Sequence, residues 1–349
     1  MPQMVEAIVQ EIDLRQQYIT TPINTIYFGG GTPSLCTPTQ LQQILQACHR
    51  YFSIDADAEI TLEANPDDVT TNQLQHWQQL GINRLSIGVQ SFFEADLQWM
   101  NRAHNVAQAK QSIVMAQQMG ITNINIDLIY GTPSLSNEQW QQNVATALAL
   151  GVKHISCYAL TVEPKTTLDK LIKQQKVAPV DAGKQATHFE LLMQWMEAAG
   201  MEHYEISNFA LPEYHSKHNK SYWQNKHYIG IGPSAHSFNG TSRQWNVANN
   251  MLYLKSIQQN TIPMEIEYLT ATQQLNEYIM TSLRTKEGLD LQIIATQWGQ
   301  SAVQQLQKAA QKHAAYFENQ QSNKLQLNKS GKLFADGIAA DLFASEPTH

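Results

Sequence analysis

The chain has 349 residues, of which 42% are hydrophobic and 15% are charged, and its formal net charge is −7. This length allows a large barrel or open sheet together with a small second domain. The acidic balance disfavours nonspecific binding to nucleic acid or anionic membranes, and no apolar run approaches the roughly 20 residues of a membrane span. No basic and apolar leader opens the chain, so we expect a protein that works in the cytoplasm without stable membrane insertion.

The three cysteines, Cys36, Cys48 and Cys157, are odd in number and lie far apart in the sequence. This pattern argues against a disulfide framework and is typical of proteins in a reducing compartment. No C-x-x-C or C-x-x-x-C-x-x-C spacing occurs, so the sequence predicts no metal site. We interpret all three as core or surface thiols.

Helix and strand patterns alternate over the first two thirds of the chain. The periodicity predicts helices at 1–17, 37–51, 70–80, 106–119, 137–150 and 182–199, and strands at 25–28, 58–62, 83–89, 122–128, 154–159 and 203–206. Strands separated by single helices indicate right-handed βαβ units and a parallel sheet. The short, regular spacing favours a barrel or open partial barrel over a doubly wound sheet, although the sequence alone does not decide between them.

The pattern changes after residue 209. A loop rich in histidine, tyrosine, asparagine and glycine extends to about 240, and a helix is predicted at 246–259. Helices at 271–284, 292–299 and 301–316, a short hairpin at 324–327 and a last helix ending at Phe343 resemble a small winged-helix-like domain. We therefore predict a barrel domain at 1–240, a connecting helix at 241–264 and a C-terminal accessory domain at 265–349. Some domains of this kind bind DNA, but the acidic balance makes that the minor interpretation.

The first predicted strand ends in three glycines followed by Thr32 and Pro33. Glycine loses the most conformational freedom on folding, but it leaves backbone N–H and C=O groups open to a ligand. In parallel α/β proteins such a turn lies at the carboxyl end of a strand, where ligand sites collect. A tight turn chosen only for its dihedral angles is the alternative, and three consecutive glycines favour the ligand site.

Polar residues also stand at or near the carboxyl ends of three later strands, namely Glu63, Gln90 and Asp127. In a parallel sheet these side chains and the glycine turn meet at one mouth of the barrel, with Arg102 close by. Two carboxylates, an amide, a guanidinium and open backbone suit a polar zwitterionic ligand. The alternative is that Glu63 and Asp127 only cap helices or form pairs inside the barrel.

Four motifs in this order resemble the radical S-adenosylmethionine family, in its oxygen-independent coproporphyrinogen dehydrogenase branch. They are YFGGGTP at 27–33, LEANP at 62–66, SIGVQSF at 86–92 and NIDLIYG at 125–131. Two further stretches, HNKSYW at 218–223 and GIGPSAHS at 230–237, resemble the heme chaperone subgroup of that branch, the HemW type. The similarity covers nearly the whole chain.

This resemblance implies a partial (β/α)6 TIM-like barrel with a C-terminal accessory domain. It implies that S-adenosylmethionine binds through its methionyl amine to Gly30, Gly31 and Thr32. Its nucleoside and sulfonium are expected at Glu63, Gln90, Arg102 and Asp127. Ala159 and His236 match more weakly, as backbone neighbours of the adenine.

The chain departs from the family at its start. Members begin with a strand leading into C-x-x-x-C-x-x-C, whose thiolates hold a [4Fe–4S] cluster, whereas this sequence opens in the helix that follows. Cluster ligation needs thiolates gathered around one cage, which three scattered cysteines do not supply. We expect either a sequence that lacks its first strand or a cluster-free relative, and the unpaired sheet edge of a barrel without that strand favours the former.

The histidine-rich loop is the predicted heme site. Histidine is a common axial ligand of heme iron, and aromatic rings stack on porphyrins. His218 is the predicted ligand, with Tyr222 and Trp223 as stacking partners, although any single histidine there could instead bond only to backbone.

Three functions remain open at this stage. The first is a heme chaperone that takes heme and passes it to an unidentified acceptor protein. The second is radical oxidative decarboxylation of coproporphyrinogen propionates. The third is a metal-free hydrolase that uses Glu63 and Asp127 as acid and base, although no pair of nucleophile and base stands out. The stretch at 218–223 favours the chaperone.

Overall fold

The structure is a computed structural model that describes residues 2–318 and 323–345; Met1, at which the first predicted helix begins, lies outside them. In chain order the helices are α1 (Pro2–Leu14), α2 (Pro38–Tyr51), α3 (Thr71–Gln79), α4 (Glu94–Trp99), α5 (Val106–Gln118), α6 (Asn137–Ala149), α7 (Thr167–Lys173), α8 (Ala182–Ala198), α9 (Lys217–Trp223), α10 (Asn250–Gln258), α11 (Ala271–Leu283), α12 (Leu291–Trp298), α13 (Gln300–Ala310), α14 (Lys329–Lys332) and α15 (Ala335–Asp341). The strands are β1 (Ile23–Phe28), β2 (Ile54–Ala64), β3 (Arg84–Gln90), β4 (Ile124–Tyr130), β5 (His154–Ala159), β6 (Glu202–Glu205), β7 (Asn208–Ala210), β8 (His236–Phe238), β9 (Ser242–Asn246), β10 (Met264–Tyr268), β11 (Leu289–Asp290) and β12 (Lys324–Leu325).

Seven strands form one sheet in the order β1-β2-β3-β4-β5-β7-β6. Strands β2 to β5 pair in parallel with their neighbours, and helices connect them, which confirms the predicted partial TIM-like barrel. The predicted sixth strand at 203–206 is present as β6, but β7 lies between it and β5 and pairs antiparallel with both. The link from β6 to β7 is only two residues long, and a link this short joins antiparallel strands.

The chain divides into two compact units. We call Phe28–Leu35 together with Ile60–Ser216 the barrel unit. The composite unit contains the described residues up to Tyr27, Cys36–Glu59 and the described residues from Lys217 onwards.

Apolar residues of β2 to β5 and of the covering helices form the core of the barrel unit. Its neighbouring strands bury Leu62, Leu85, Ile126 and Ile155 completely. This is the continuous apolar pattern of parallel strands that are covered on both faces. Helices α5 and α6 begin with capping boxes, which satisfy backbone N–H groups at the first turn. The buried core and the capped helices therefore hold the strand ends in fixed positions.

The composite unit contains a buried ion pair. Arg15 Nη1 lies 3.4 Å from Glu11 Oε1, one helical turn earlier on α1, and both side chains are almost fully buried. Arg15 donates to the carbonyl of Gly230 at 3.0 Å and to the side chains of Ser237 and Gln244, also at 3.0 Å.

Glu11 is satisfied on its other side. Its carboxylate accepts hydrogen bonds from the backbone N–H of Gly232 at 2.8 Å, from Asn246 at 2.7 Å and from the Tyr253 hydroxyl at 2.7 Å. A buried charge pair is tolerated only when its remaining hydrogen-bonding capacity is used in this way. The pair thus joins α1 to the small sheet β10-β9-β8 and to α10.

The C-terminal part of the composite unit contains the predicted helices as α11, α12, α13 and α15. The segment predicted as a hairpin at 324–327 has two antiparallel pairings: Leu327 bridges to Phe317, which is local, and β12 pairs with β11, which precedes α12 in the chain. The loop predicted after residue 209 contains β7, α9 and β8. These elements are too short for periodicity to reveal.

Candidate functional site

A pocket of about 190 Å³ opens at the carboxyl ends of the parallel strands in the barrel unit. Five elements supply its polar lining: the glycine corner after β1, the end of β2 with the residue that follows it, β3, the loop after α4 and the middle of β4. The lining residues are Gly31, Thr32, Pro33, Ser34, Glu63, Ala64, Asn65, Ser86, Gly88, Gln90, Arg102 and Asp127. Six of the nine residues that the sequence predicted for S-adenosylmethionine are in this set, namely Gly31, Thr32, Glu63, Gln90, Arg102 and Asp127.

The glycine corner leaves open space beside its backbone. Gly30 has φ +76°, a left-handed conformation that glycine adopts without strain, and a Cβ at Gly30 or Gly31 would meet no atom within 4 Å. The turn that follows is fixed, because Ser34 donates a hydrogen bond of 2.6 Å to Asp68. The corner therefore presents bare backbone to the pocket on a rigid support.

Gln90 is held in an unusual backbone conformation. Its φ is +66°, and the pairing of β3 with β4 shifts register between Ile87 and Gln90. A left-handed non-glycine residue is strained by about 1 kcal/mol or more, and such residues cluster at functional sites. Gly88 makes room for it: a Cβ there would lie 2.9 Å from Gln90 Nε2 and 3.4 Å from Arg102 Nη2.

Arg102 lies in the loop after α4. Its Nη2 donates to Asn65 Oδ1 at 2.8 Å and more weakly to the Gly88 carbonyl at 3.4 Å. Its Nε is buried and has no hydrogen-bond partner in the described structure. Because leaving a buried donor unsatisfied costs about 1–3 kcal/mol, this N–H group is available for an acceptor on a ligand.

His104 anchors the same loop to β3. Its Nε2 lies 3.0 Å from the carbonyl of Val89, the residue before Gln90. Burial is the main cause that lowers the pKa of His104. A neutral imidazole donating to that carbonyl ties the Arg102 loop to the strand end that positions Gln90.

Asp127 is the carboxylate whose ionisation is perturbed. Burial raises the pKa of its carboxyl to about 6, and the nearby charge of Glu63 adds to the rise. Hydrogen bonds from Asn125 and Ser156 and the charge of Arg102 act in the opposite direction. At neutral pH the pocket thus has an anion in a partly dehydrated position, which favours a positively charged or hydroxyl-bearing ligand.

Three predicted residues lie outside this set of lining residues. Gly30 is in the glycine corner, one residue before Gly31. Ala159 ends β5 and pairs with Tyr130 of β4. His236 begins β8 in the composite unit, where it is exposed and stacks on Trp245 with ring centroids 6.2 Å apart.

The predicted heme residues are together on α9 in the composite unit. His218 stacks on Tyr27, with ring centroids 4.4 Å apart and an interplanar angle of 16°, and its Nδ1 lies 3.1 Å from Thr25 Oγ1. Tyr222 meets the His218 ring edge-on at 5.0 Å. The guanidinium carbon of Arg284 lies over the ring of Trp223, 5.4 Å from the ring centroid. The ring of each predicted heme residue therefore already contacts another side chain.

Sequence reasoning did not assign Ser34, Asn65, Ser86 and Gly88 to the site. Asn65 and Gly88 stand within two residues of Glu63 and Gln90, in motifs that were already prominent. Their roles depend on contacts across strands, which one sequence does not reveal.

Comparison with known proteins agrees with this geometry. The family model of the radical SAM superfamily matches residues 3–172, and that of the HemN C-terminal domain matches residues 269–334. The heme chaperone HemW of Bacillus subtilis (strain 168) is 34% identical over 281 residues, which are 80% of this chain and 74% of that protein. The chain belongs to the radical SAM family, in its HemW-type branch.

A second relative supports this membership, and a solved structure shows the same fold. The heme chaperone HemW of Synechocystis sp. is 36% identical over 288 residues, which are 82% of this chain and 70% of that protein. The solved structure of the Escherichia coli coproporphyrinogen III oxidase HemN, a radical SAM enzyme, superposes with a TM-score of 0.83 at 21% identity, covering 98% of this chain and 83% of that one. At this identity the likeness shows a shared fold. Among the described residues, no helix combines the length and the apolar character needed to cross a bilayer.

The radical SAM family implies S-adenosylmethionine and a [4Fe–4S] cluster. The pocket fits the former, whereas the cysteines do not fit the latter. Within residues 2–318 and 323–345, no three metal-ligating side chains come together. Burial raises the pKa of Cys48 to about 11 and that of Cys157 well above its ordinary value. A bound metal deprotonates a thiol, so the arrangement decides: cluster ligation needs several cysteines around one cage, and Cys36, Cys48 and Cys157 are not grouped in this way.

Proposed function

We propose that this chain is a heme chaperone that binds S-adenosylmethionine in the barrel pocket, binds heme, and passes heme to an acceptor protein. The observation that carries this proposal is its similarity to proteins named heme chaperone HemW. Relatives with this name from Bacillus subtilis, Synechocystis and Mycobacterium tuberculosis are 31–36% identical over 80–96% of this chain. The similarity thus extends well beyond the barrel pocket that radical SAM proteins have in common.

In this proposal the glycine corner contacts the methionyl amine of S-adenosylmethionine through Gly30, Gly31 and Thr32. Open backbone carbonyls at such a corner accept hydrogen bonds from an ammonium group. The partnerless Nε of Arg102 is a donor suited to a carboxylate or hydroxyl oxygen.

The nucleoside and sulfonium are assigned to the remaining lining residues. Glu63 and Asp127 supply negative charge that attracts the sulfonium and accepts hydrogen bonds from hydroxyl groups. Gln90, held by its left-handed backbone, offers both a donor and an acceptor. Ala159 and His236 stay predictions as backbone neighbours of the adenine.

Calorimetric titration with S-adenosylmethionine tests this pocket. Glu63→Gln and Asp127→Asn each remove one negative charge, and we expect affinity at pH 7.5 to fall at least tenfold in both. Asp169→Asn is the matched control, since Asp169 lies on α7 and is bonded to Lys173, away from the pocket lining. Unchanged affinity in both pocket variants would contradict the assignment.

For heme, we propose His218 as the axial ligand, with Tyr222 and Trp223 against the porphyrin. The contact of His218 Nδ1 with Thr25 Oγ1, at 3.1 Å, holds the imidazole ring in one orientation. Ring orientation by a hydrogen bond at the other nitrogen is usual for metal-binding histidines.

Heme titration followed by the Soret band tests this assignment. We expect His218→Ala to weaken heme binding at least fivefold, whereas His227→Ala, which removes a histidine from the same loop, changes it less than twofold. Equal affinities in wild type and His218→Ala would remove the assignment. Transfer is measured by mixing the heme-loaded chain with an apo-globin and following the acceptor spectrum. Anaerobic conversion of coproporphyrinogen to protoporphyrinogen would instead support the oxidative enzyme.

A further inference from the structure

A row of buried polar side chains crosses the barrel unit next to Asp127. Ser86 on β3, Asn125 on β4, Ser156 on β5 and Asn208 on β7 are all buried. Adjacent members are bonded: Asn125 donates to Ser86 at 2.8 Å, and Ser156 lies 2.7 Å from Asn208 Oδ1. Barrel interiors are usually filled by branched apolar side chains. A polar row in this place therefore calls for a role other than packing.

Asn125 connects this row to the pocket. Its Nδ2 donates to Asp127 Oδ1 at 2.9 Å. A carboxylate only accepts hydrogen bonds, so the NH₂ group of the amide must face Asp127. The amide oxygen then points to the other side and requires a donor there.

His154 is the nearest group to that oxygen, with Nδ1 at 2.6 Å from Asn125 Oδ1. Ser156 is also close at 3.0 Å, but its single hydroxyl hydrogen is shared among Asn125, Asn208 and Asp127. Among the described residues, His154 Nδ1 has no other hydrogen-bond acceptor, so an N–H group there determines the orientation of the Asn125 amide.

The protonation of His154 agrees with this role. Its side chain is completely buried, and burial lowers its pKa well below the ordinary value, with smaller contributions from the charges of Arg84 and His215. The ring is neutral and carries one hydrogen. Its Nε2 lies 2.7 Å from the hydroxyl of Tyr204. With the hydrogen on Nδ1, Nε2 accepts from Tyr204.

We infer that Asn125 is a positioning residue for Asp127, and that His154 and Tyr204 fix its orientation. The donors run in one direction: Tyr204 O–H to His154 Nε2, His154 Nδ1–H to Asn125 Oδ1, and Asn125 Nδ2–H to Asp127. This series of hydrogen bonds holds Asp127 as a carboxylate directed at the pocket. The inference deepens the proposed function and rests on it for the statement that Asp127 contacts S-adenosylmethionine.

The other groups around Asp127 do not replace this donor. Glu63 opposes its ionisation, and Arg102 favours it. On the adjacent strand β5, Cys157 and Tyr158 have pKa values raised by burial and remain neutral at pH 7. The hydrogen bond from Asn125 is the largest effect that opposes burial, so its removal raises the pKa of Asp127 further.

Carbon-13 NMR of the aspartate carboxyl carbons, without ligand, tests the inference. The Asp127 signal is assigned with Asp127→Asn. We expect its titration midpoint to rise by about one unit in Asn125→Leu, because one hydrogen bond to a charged group is lost. His154→Leu raises it similarly, whereas His154→Asn, whose amide can donate from near the Nδ1 position, restores most of the wild-type value. An unchanged midpoint in Asn125→Leu overturns the inference.

Two further measurements test the direction of the hydrogen bonds and separate this inference from the proposed binding of S-adenosylmethionine. Nitrogen-15 NMR of the wild-type chain needs no variant, and a hydrogen on His154 Nε2 instead of Nδ1 overturns the proposed direction. Titration with S-adenosylmethionine over pH 5–8 separates the two proposals. If Asn125→Leu shifts the Asp127 titration midpoint but leaves the affinity unchanged, the series of hydrogen-bond donors is supported and contact between Asp127 and the ligand is contradicted. If Asn125→Leu weakens the affinity without shifting the midpoint, the series of donors is contradicted and the binding pocket stays supported.

Discussion

Gly88→Ala is expected to weaken S-adenosylmethionine binding without unfolding the barrel. The added Cβ would lie 2.9 Å from Gln90 Nε2, and a normal contact is near 3.4 Å, so the amide must move away by roughly half an ångström. The group that moves is the end of a flexible side chain, and Gly88 does not have a positive φ, so stability should change little. If one hydrogen bond between Gln90 and the ligand is lost, about 0.5–1.5 kcal/mol, affinity falls roughly 2- to 12-fold.

Calorimetric titration at pH 7.5 measures this effect, with the melting temperature recorded in parallel. Gly337→Ala is the control, because a Cβ there meets no atom within 4 Å and the residue lies on α15, outside the barrel unit. A double-mutant cycle with Gln90→Ala isolates the contact, since the effect of Gly88→Ala should disappear once the amide is absent. The reasoning would be refuted if Gly88→Ala bound S-adenosylmethionine as tightly as the wild type. It would also be refuted if Gly88→Ala lowered the affinity equally with Gln90 present and with Gln90→Ala.

Three other outcomes follow from the structure. The pKa of Asp127 is raised in the folded state, so ionisation of this group destabilises the fold progressively from about pH 4 to above pH 6. Asp127→Asn should therefore raise the unfolding free energy by up to about 3 kcal/mol at pH 7 and change it little at pH 4, and equal effects at both pH values in urea titrations would contradict this. Arg15→Met removes the cationic partner of the buried Glu11 carboxylate and should lower the free energy of unfolding by about 3–5 kcal/mol. The double variant with Glu11→Leu should be less destabilised than Arg15→Met alone, and additive losses of unfolding free energy would show that the pair is not coupled. Anaerobic reconstitution with iron and sulfide should produce no stoichiometric cluster absorption, because Cys36, Cys48 and Cys157 do not come together around one cage. Four bound irons per chain would show this wrong.

Most of the fold could be predicted because its signals are local. The alternation of apolar strands and helices, with stop signals such as Gly81 and Gly151, predicted β2 to β5 and their helices to within a few residues, except that β2 begins earlier than expected. The short elements α4, α7 and β7 were missed, since none is long enough for a periodic pattern. The pairing of β12 with β11 was missed because the partners are distant in sequence.

The sequence by itself determined which residues stand at the carboxyl ends of the strands, since strand length and direction follow from local pattern. Glu63 and Gln90 were found in this way. Asp127, expected near the end of its strand, lies in the middle of β4, and the parallel pairing of the strands still brings it to the same pocket. Only the tertiary structure decided the left-handed backbone of Gln90, the partnerless Nε of Arg102 and the direction of the Asn125 amide. These features depend on contacts between strands and on burial, which change hydrogen bonding and pKa but leave no periodic trace in a single chain.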